Sequence, residues 1–306
     1  MKRIDFHVHV YDELSVDESV RYFSDMCERF GYDGIGIMAL LHCSTAFHPN
    51  SNTNSLAIKR LMPGSYAFAG LSYEEDFVEQ AERHMDAGFD GIKLLGGKPS
   101  QYRLFGCTYT DPRYMAFFEY AEKHQIPLMI HNNDPLMHWD INKISPRSRA
   151  KGWYYDETMP SQSYFFDALD RVLAAFPRLK AAIAHFGFYS DDLPRAEAML
   201  ETYPNLRFDI TPALIIYDEL SRTPAQSQAF FTRYHDRLIF GTDAENTLYG
   251  RARELNDRKN LITDAFLQGK ENEVSREQGI IPLALDAEML ENIYYNNAMR
   301  FIQSST

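Results

Sequence analysis

Short apolar runs alternate along this chain with longer segments whose apolar residues recur every three or four positions. The apolar runs predict eight β-strands, at Arg3–Val10, Gly34–Leu40, Ser65–Leu71, Asp90–Gly96, Pro127–Asn133, Lys180–Gly187, Leu206–Thr211 and Arg237–Ala244. The periodic segments predict helices, among them Ser19–Phe30, Glu74–Ala87, Pro112–His124, Ser161–Phe176 and Leu193–Tyr203. Because parallel strands need crossovers of about a dozen residues, the alternation predicts a parallel sheet covered by helices.

Eight strands are the number that closes a (β/α)8 TIM barrel, and 306 residues suit such a barrel, which typically has about 250 plus insertions. An open doubly wound sheet is the alternative, but no GxGxxG turn follows the first strand. No linker or repeat divides the chain, so we expect a single domain over residues 1–306. A last helix is expected around Ala287–Ile302. The longest irregular stretch is Asp134–Pro160, and loops of that length are usually functional or partly disordered.

The charge balance restricts the partners. The chain carries 31 basic and 43 acidic side chains, a net charge of −12. Such a protein gains nothing from counterion release on nucleic acid, and an anionic membrane disfavours it for the same reason. We therefore expect a small-molecule substrate, with neither nucleic acid nor membrane as partner, and a local basic patch could still bind an anion. The sequence leaves open whether the chain forms a homo-oligomer.

The start of the sequence, MKRIDFHVHV, lacks the long apolar segment of a signal peptide. Nothing elsewhere approaches the ~18 consecutive apolar residues of a membrane span. The three cysteines, Cys27, Cys43 and Cys107, are odd in number and widely spaced, which indicates neither a disulfide framework nor a CxxC metal site. A cytoplasmic location is the simplest expectation.

The first strand carries two histidines two residues apart, His7 and His9. Alternate residues of a strand share a face, so both histidines and Asp5 should point into the barrel. The helix layer should then receive the apolar set, Ile4, Phe6, Val8 and Val10. Two neutral imidazoles on one face can reach a single Zn, Fe, Ni or Cu ion. For this motif alone, a pair of hydrogen-bonded core histidines is the alternative.

Three further predicted strands end in an ionisable residue, namely His131, His185 and Asp243. Burying such a group after an apolar run is costly unless it is paired or binds a metal. All of them fall at the carboxyl ends of strands, where barrel enzymes build their active sites. The combination predicts a metal site at this mouth of the barrel. Lys93 on strand four could pair with a carboxylate, bind substrate, or be carboxylated to bridge two metals.

The ordered segments resemble the amidohydrolase superfamily, and within it the amidohydrolase-2 group of metal-dependent TIM-barrel hydrolases and decarboxylases. The resemblance rests on IDFHVHV, GIKLL, MIHNN, PRLKAAIAHFG, NLRFDIT, DRLIFGTD and IYYNNAMRF, which extend along nearly the whole chain. It implies that one divalent ion, most simply zinc, is bound by His7, His9, His131 and Asp243.

The resemblance also implies roles for two other residues. His185 corresponds to a histidine that polarises substrate or shuttles protons in one-metal members and binds the second ion in two-metal members. Lys93 corresponds to the carboxylated lysine of some two-metal members. The chain departs from the group at HFGF after strand six, at Ala244-Glu245 after GTD, and in lacking histidine–proline after Lys93. These departures leave the expected ligands intact and the substrate undefined.

The resemblance favours hydrolysis of a small carbonyl compound such as a lactone, an amide or a related carboxylic acid derivative. In that mechanism Asp243 orients a metal-activated water and carries its proton, while His185 stabilises charge on the attacked carbonyl. A decarboxylase or hydratase of an unsaturated or aromatic acid is the alternative, and a barrel that binds metal without turnover is a third.

Substrate contacts are predicted only weakly. His42, Arg103 and Arg147 fall in predicted loops at the active face, and an arginine could hold a substrate carboxylate through a bidentate contact. Trp139 and Trp153 in the long loop could cover the pocket. For each of these residues, an ordinary loop or surface role is the alternative.

Overall fold

The computed structural model describes residues 1–41, 51–213, 215–247 and 252–303. The described strands form one parallel sheet: β1 (Ile4–His9), β2 (Gly34–Met38), β3 (Tyr66–Gly70), β4 (Gly91–Gly97), β5 (Leu128–Asn132), β6 (Ala181–Ile183), β7 (Leu206–Asp209), β8 (Leu238–Ile239) and β9 (Ala244–Glu245). They pair in the order β8-β7-β6-β5-β4-β3-β2-β1-β9. Each strand from β1 to β8 therefore lies beside its neighbour in the sequence, as in a (β/α)8 barrel.

The sheet closes between β1 and the chain around Gly241. The amide of Phe6 donates to the carbonyl of Phe240 at 3.1 Å, and the amide of Asp243 donates to the carbonyl of His7 at 2.8 Å. β9 then pairs in parallel with β1. The predicted TIM barrel is confirmed, and its predicted eighth strand is two short strands, β8 and β9, joined by residues 240–243.

Helices connect and cover the strands: α1 (Val16–Phe30), α2 (Asn52–Leu61), α3 (Phe77–Ala87), α4 (Pro99–Phe105), α5 (Pro112–His124), α6 (Pro146–Ala150), α7 (Gln162–Ala175), α8 (Leu193–Thr202), α9 (Ile216–Arg222), α10 (Pro224–Tyr234), α11 (Ala252–Gln268), α12 (Glu273–Glu277), α13 (Ala287–Glu291) and α14 (Asn297–Ile302). The final helix predicted from the sequence is interrupted by a π-helical turn at Asn292–Asn296. Among the described helices, none is long and apolar enough to cross a bilayer.

Local sequence explains the bounds of α1. Ser15 accepts a hydrogen bond from the amide of Glu18, whose side chain accepts one from the amide of Ser15, and this capping box starts the helix. The helix ends at Gly31, whose φ of 69° is left-handed and suits glycine. Phe23 and Met26 are buried against the barrel.

Two apolar layers stabilise the barrel. The larger layer lies between strands and helices and includes outward-facing strand residues such as Ile35, Ile92 and Ile130. A smaller cluster takes residues from β1, β2, β3, β5, β6 and β8 together with Phe301 of α14, so it fills the barrel interior and is closed by the last helix. The mouth of the barrel that carries the predicted metal ligands therefore lies above a packed apolar floor.

The predicted alternation of β1 is wrong for its first half. Ile4 and Phe6 belong to the interior cluster, where the Phe6 ring packs edge-to-face on Phe68 at 5.6 Å. Asp5 instead receives the amide of Thr242 at 2.9 Å. The register of β1 against β2 shifts between Asp5 and Val8, which adds one residue to β1. This bulge restores the predicted facing for Val8, which packs in the outer layer.

Two other segments differ from the sequence prediction. The sixth strand ends at Ile183, four residues early, because the chain then turns through left-handed residues from His185 to Phe188. The long stretch Asp134–Pro160 contains a 3₁₀ turn at Leu136–Trp139 and the short helix α6. It packs over the carboxyl ends of the strands and supplies part of the cavity wall described next.

Candidate metal centre and cavity

Three predicted ligands meet at the mouth of the barrel. His7 and His9 lie at the end of β1, and Asp243 immediately precedes β9. Their ligand atoms all lie within 4.8 Å of one another. Nε2 of His9 is 3.1 Å from Oδ1 of Asp243, and Nε2 of His7 is 4.0 Å from the same oxygen. The chain thus places two imidazoles and one carboxylate where a single ion could bind all three.

The other ring nitrogen of each histidine is already engaged. Nδ1 of His7 lies 2.6 Å from Oδ2 of Asp209, and Nδ1 of His9 lies 2.8 Å from the carbonyl oxygen of Met38. Partners of this kind fix the ring orientation of metal-binding histidines, here with Nε2 towards Asp243. Burial and the nearby Lys93 hold the pKa of His7 well below its usual range, so its ring is neutral.

Asp209 was missed by the sequence analysis. It ends β7, has no exposed surface, and also accepts the amide of Thr211 at 2.8 Å. Burial raises the pKa of its carboxyl. The signal that identified His131, His185 and Asp243, an ionisable residue ending an apolar run, also applies to the segment NLRFDIT.

The local backbone sets the position of Asp243. Its φ of 58° is left-handed, which is uncommon outside glycine. Just before it, Gly241 approaches strand one so closely that a Cβ there would lie 2.7 Å from Cβ of His7. Although burial alone would raise the pKa of the Asp243 carboxyl, Lys259 and His9 hold it well below its usual range. Lys259 also donates to the carbonyl of Asp243.

His185 occupies a left-handed turn beside the three donors. His185, Phe186, Gly187 and Phe188 have φ values of 54°, 53°, 62° and 57°. Left-handed backbone costs roughly 1–2 kcal/mol per non-glycine residue, so strain is concentrated here. Nδ1 of His185 lies 2.8 Å from the hydroxyl of Thr211, and its ring centre is 5.5 Å from that of His7. Burial lowers its pKa well below the usual range, which keeps the ring neutral.

His131 lies next to His185, with ring centres 4.9 Å apart, but it is not in the cluster of donor atoms formed by the other three predicted ligands. Its Nε2 is 3.0 Å from the carbonyl oxygen of Asn133 and 3.4 Å from Nζ of Lys98. Burial and Lys98 lower the pKa of His131 to about 4. Lys93 is buried at the same mouth, with Nζ 3.3 Å from Nε2 of His7.

A cavity of about 290 Å³ opens over these groups. Its described ionisable lining has more cations than carboxylates: Lys93, Lys98, Arg147, Lys151 and Lys259 against Asp134, Asp243 and Glu245. Apolar side chains complete the wall, among them Leu40, Met137, Phe188 and Ile215. In a chain of net charge −12, this local excess of positive charge favours an anionic ligand.

Of the described residues that were weakly predicted to contact substrate, one arginine lines the cavity. Arg147 lines the cavity, 3.8 Å from Glu245. Arg103 and Trp139 are not among its described lining residues; Arg103 donates to the carbonyls of Gly152 and Tyr154, and Trp139 to that of Pro160, so both hold the long loop in place. His42 lies outside the described residues.

A buried polar network on one wall was also missed from the sequence. Lys98 follows β4 and donates to Oδ1 of Asp134 at 2.5 Å, while the hydroxyl of Tyr155 donates to Oδ2 at 2.5 Å. The ammonium of Lys98 also lies 4.7 Å from the ring centre of Trp153. Although burial would raise the pKa of Asp134, Lys98 holds it well below the usual range. These residues fix the long loop against the ends of β4 and β5.

The sequence also matches the profile of a known protein family. The amidohydrolase-2 family profile, described as amidohydrolase, matches residues 4–303. The chain belongs to the amidohydrolase family. This match covers every described strand and the three clustered donors. A search of curated proteins found no significant match.

Solved structures share the fold of this amidohydrolase at low sequence identity. They include a 2,6-dihydroxybenzoate decarboxylase bound to 2,6-dihydroxybenzoate (14% identity, TM-score 0.57, 99% of each chain). A 4-oxalomesaconate hydratase from Rhodopseudomonas palustris matches at 16% identity and a TM-score of 0.57, over 98% of this chain and 95% of the other. A probable 2-pyrone-4,6-dicarboxylic acid hydrolase from Acinetobacter baumannii, with citric acid bound, matches at 13% identity and 0.56, over 99% of each. Solved structures with this fold thus include a probable hydrolase, a decarboxylase and a hydratase.

Proposed function

We propose that this amidohydrolase is a metal-dependent hydrolase of a small carbonyl compound, such as a lactone, an amide or a related carboxylic acid derivative. The observation that carries the proposal is the convergence of His7, His9 and Asp243, two of which, His9 and Asp243, line a cavity large enough for a small organic molecule. Imidazole and carboxylate are ligands that zinc prefers. We propose one zinc ion per chain.

The donor set fits such an ion. Both histidines have Nδ1 engaged, by Asp209 or by the carbonyl of Met38, which leaves Nε2 directed to where the ion would bind. Asp243 is ionised and its side chain is 26% exposed, towards the cavity. His131 is proposed as a fourth ligand, and Lys93 as the contact that would join a second ion if carboxylated. A divalent ion here would lower the pKa of a water that it coordinates from 15.7 to roughly 7.

The protein's own residues then handle the proton and the substrate. Asp243 faces the cavity as a carboxylate, and we propose that it orients the attacking water, accepts its proton and returns that proton to the leaving group. Lys259 stays beside it, 3.3 Å from Oδ2, and keeps it ionised between turnovers.

His185 is proposed to stabilise the carbonyl oxygen under attack. If the Thr211 hydroxyl donates to Nδ1, the neutral ring carries its proton on Nε2 and can donate it to that oxygen. The strained turn from His185 to Phe188 is consistent with this role, because strained backbone clusters at active sites.

A decarboxylase or hydratase of an unsaturated or aromatic acid is the second candidate. The observation that favours it is the cationic cavity lining, which includes Arg147 and suits a carboxylate substrate. Product analysis separates the candidates: a decarboxylase releases carbon dioxide, a hydratase adds water across a double bond, and a hydrolase yields two fragments or an opened ring.

The test is a screen of lactones, amides and unsaturated acids with the zinc-loaded protein. The activity found is then measured in two variants, one at Asp243 and one at His185. Asp243→Asn and His185→Asn should each lower kcat by roughly 10²–10⁴-fold, the usual contribution of acid–base groups. His185→Asn should keep its metal. Full activity in Asp243→Asn would contradict the proposed mechanism, and loss of metal in His185→Asn would make His185 a ligand.

A further inference from the structure

One wall of the cavity carries polar groups that the proposed chemistry does not use. Lys98 lies at the N-terminal boundary of α4, and Gln101 lies one turn further along this helix. The backbone amide of Gln101 donates to the carbonyl of Lys98 at 2.9 Å. His138 comes from the 3₁₀ turn of the long loop, and its ring lies 6.0 Å from that of Trp153, centre to centre. All four side chains line the cavity.

Two of these side chains are buried without hydrogen-bond partners among the described residues. Gln101 is 1% exposed, and neither its Oε1 nor its Nε2 has a partner. His138 is 5% exposed, and its Nδ1 has none. Nearly all buried polar groups in proteins are hydrogen-bonded, so an exception in a cavity wall indicates a partner that arrives with a ligand.

Two ammonium groups, those of Lys98 and Lys151, lie at this wall against one carboxylate, that of Asp134. The Lys98 ammonium contacts Asp134 and, at 3.4 Å, Nε2 of His131, so at least one of its three donor hydrogens is left for a ligand. The ammonium is also held against the face of Trp153. Nζ of Lys151 lies 4.9 Å from the same ring, so a second ammonium group is close. An acceptor group that carries negative charge is the complement of this arrangement.

We propose that Lys98, Gln101 and His138 form a carboxylate subsite, separate from His7, His9 and Asp243, within the same cavity. A substrate carboxylate accepts hydrogen bonds there while the reacting group of the substrate lies at the metal-binding donors. The substrate is therefore a small organic acid that has a carboxylate in addition to its reacting group. A volume of about 290 Å³ limits it to roughly the size of one substituted ring. This assignment of substrate class rests on the proposed function.

The melting temperature shows whether Gln101 serves ligand binding or the stability of the fold. Gln101→Leu removes an amide that forms no hydrogen bond, so it should keep or raise the melting temperature. The matched control is Gln80→Leu: Gln80 is also buried, but it accepts from the amide of Ser72 at 2.7 Å and donates to its carbonyl at 2.8 Å. That variant should lower the melting temperature and leave ligand binding unchanged.

Binding is measured with benzoate and its neutral analogue benzamide, by the fluorescence of Trp153 in a Trp139→Phe background, since the chain has two tryptophans. The protein should bind benzoate more tightly than benzamide. Gln101→Leu and His138→Phe should each weaken benzoate binding roughly tenfold or more, the usual value for a hydrogen bond to a charged group, with little effect on benzamide. Equal binding of the two probes, or wild-type benzoate affinity in both variants, would overturn the subsite.

Each titration is repeated on the full chain after removal of metal with EDTA. Because Lys98, Gln101 and His138 are not themselves metal ligands, the preference for benzoate should persist in the metal-free protein. If the preference vanishes with the metal, the carboxylate binds the ion and the subsite is refuted. Failure of the proposed function would appear separately, as a zinc-loaded protein that binds benzoate but turns over none of the screened compounds.

Discussion

Asp209→Asn tests how the buried carboxylate behind His7 contributes to metal binding. The carboxylate accepts from Nδ1 of His7 at 2.6 Å, and both residues are fully buried. Replacing it with a neutral amide keeps the shape but weakens this contact and the orientation of the ring. Loss of such a partner typically costs 10–100-fold in metal affinity, or about 1.4–2.7 kcal/mol.

The same substitution should cost little folding stability. Burial raises the pKa of Asp209, so the folded protein already disfavours the ionised carboxyl, and an amide removes that penalty. Zinc affinity is measured by competition with a chromogenic chelator, and stability by thermal unfolding of the metal-free protein. The control is Asp264→Asn, in the carboxylate that pairs with Arg3 at 2.5 Å, which should lower stability and leave zinc affinity unchanged. Wild-type zinc affinity in Asp209→Asn would show that this carboxylate does not support metal binding by His7.

Two further substitutions address the same centre. Lys93→Met should retain one equivalent of zinc by elemental analysis, because an uncarboxylated Lys93 binds no ion; loss of a second equivalent, present in wild type with added bicarbonate, would establish a two-metal site. Gly241→Ala would place a Cβ 2.7 Å from Cβ of His7 and 2.9 Å from Cγ2 of Thr211, so it should cost about 1–3 kcal/mol of stability by denaturant unfolding and weaken zinc binding. A neutral effect would mean that the two segments separate freely.

The barrel could be predicted from the sequence because the same pattern, a strand followed by a helix, recurs along the whole chain. Each strand is a short apolar run, and each crossover has helical periodicity, so single errors of bounds do not change the fold. The ends of strands six and eight were harder to predict. At His185 and Asp243 the backbone turns left-handed, a conformation that non-glycine side chains rarely signal in advance.

Strand β1 shows where strict alternation of side chains fails as a predictor of which residues point into the barrel. His7 and His9 do reach the mouth, but Ile4 and Phe6 fill the barrel floor, because an extra residue shifts the register between Asp5 and Val8. Because no residue type in the sequence marks the bulge, strict alternation assigned Asp5 to the wrong face of the strand. The prediction for His7 and His9 held because both follow the start of the bulge.

Loop residues were predicted least well. Two tryptophans lie in the long loop, and no feature of the sequence separates their roles. In the structure Trp153 lines the cavity, whereas Trp139 ties the loop to the carbonyl of Pro160. Lys98 and Gln101 follow a strand by one and four residues, but buried contact with Asp134 and unpartnered amide atoms are properties of the folded wall. No pattern in the sequence reports them.

Whether His7, His9 and Asp243 bind a metal ion can be decided by elemental analysis of the purified protein beside its His7→Ala/His9→Ala double variant. The wild-type protein, grown with zinc and purified without chelator, should carry about one zinc ion per chain. The double variant should carry none and still show the circular dichroism of a folded barrel, because its apolar floor and outer layer are unchanged. Full metal occupancy in the folded double variant would show that His7 and His9 do not bind the ion.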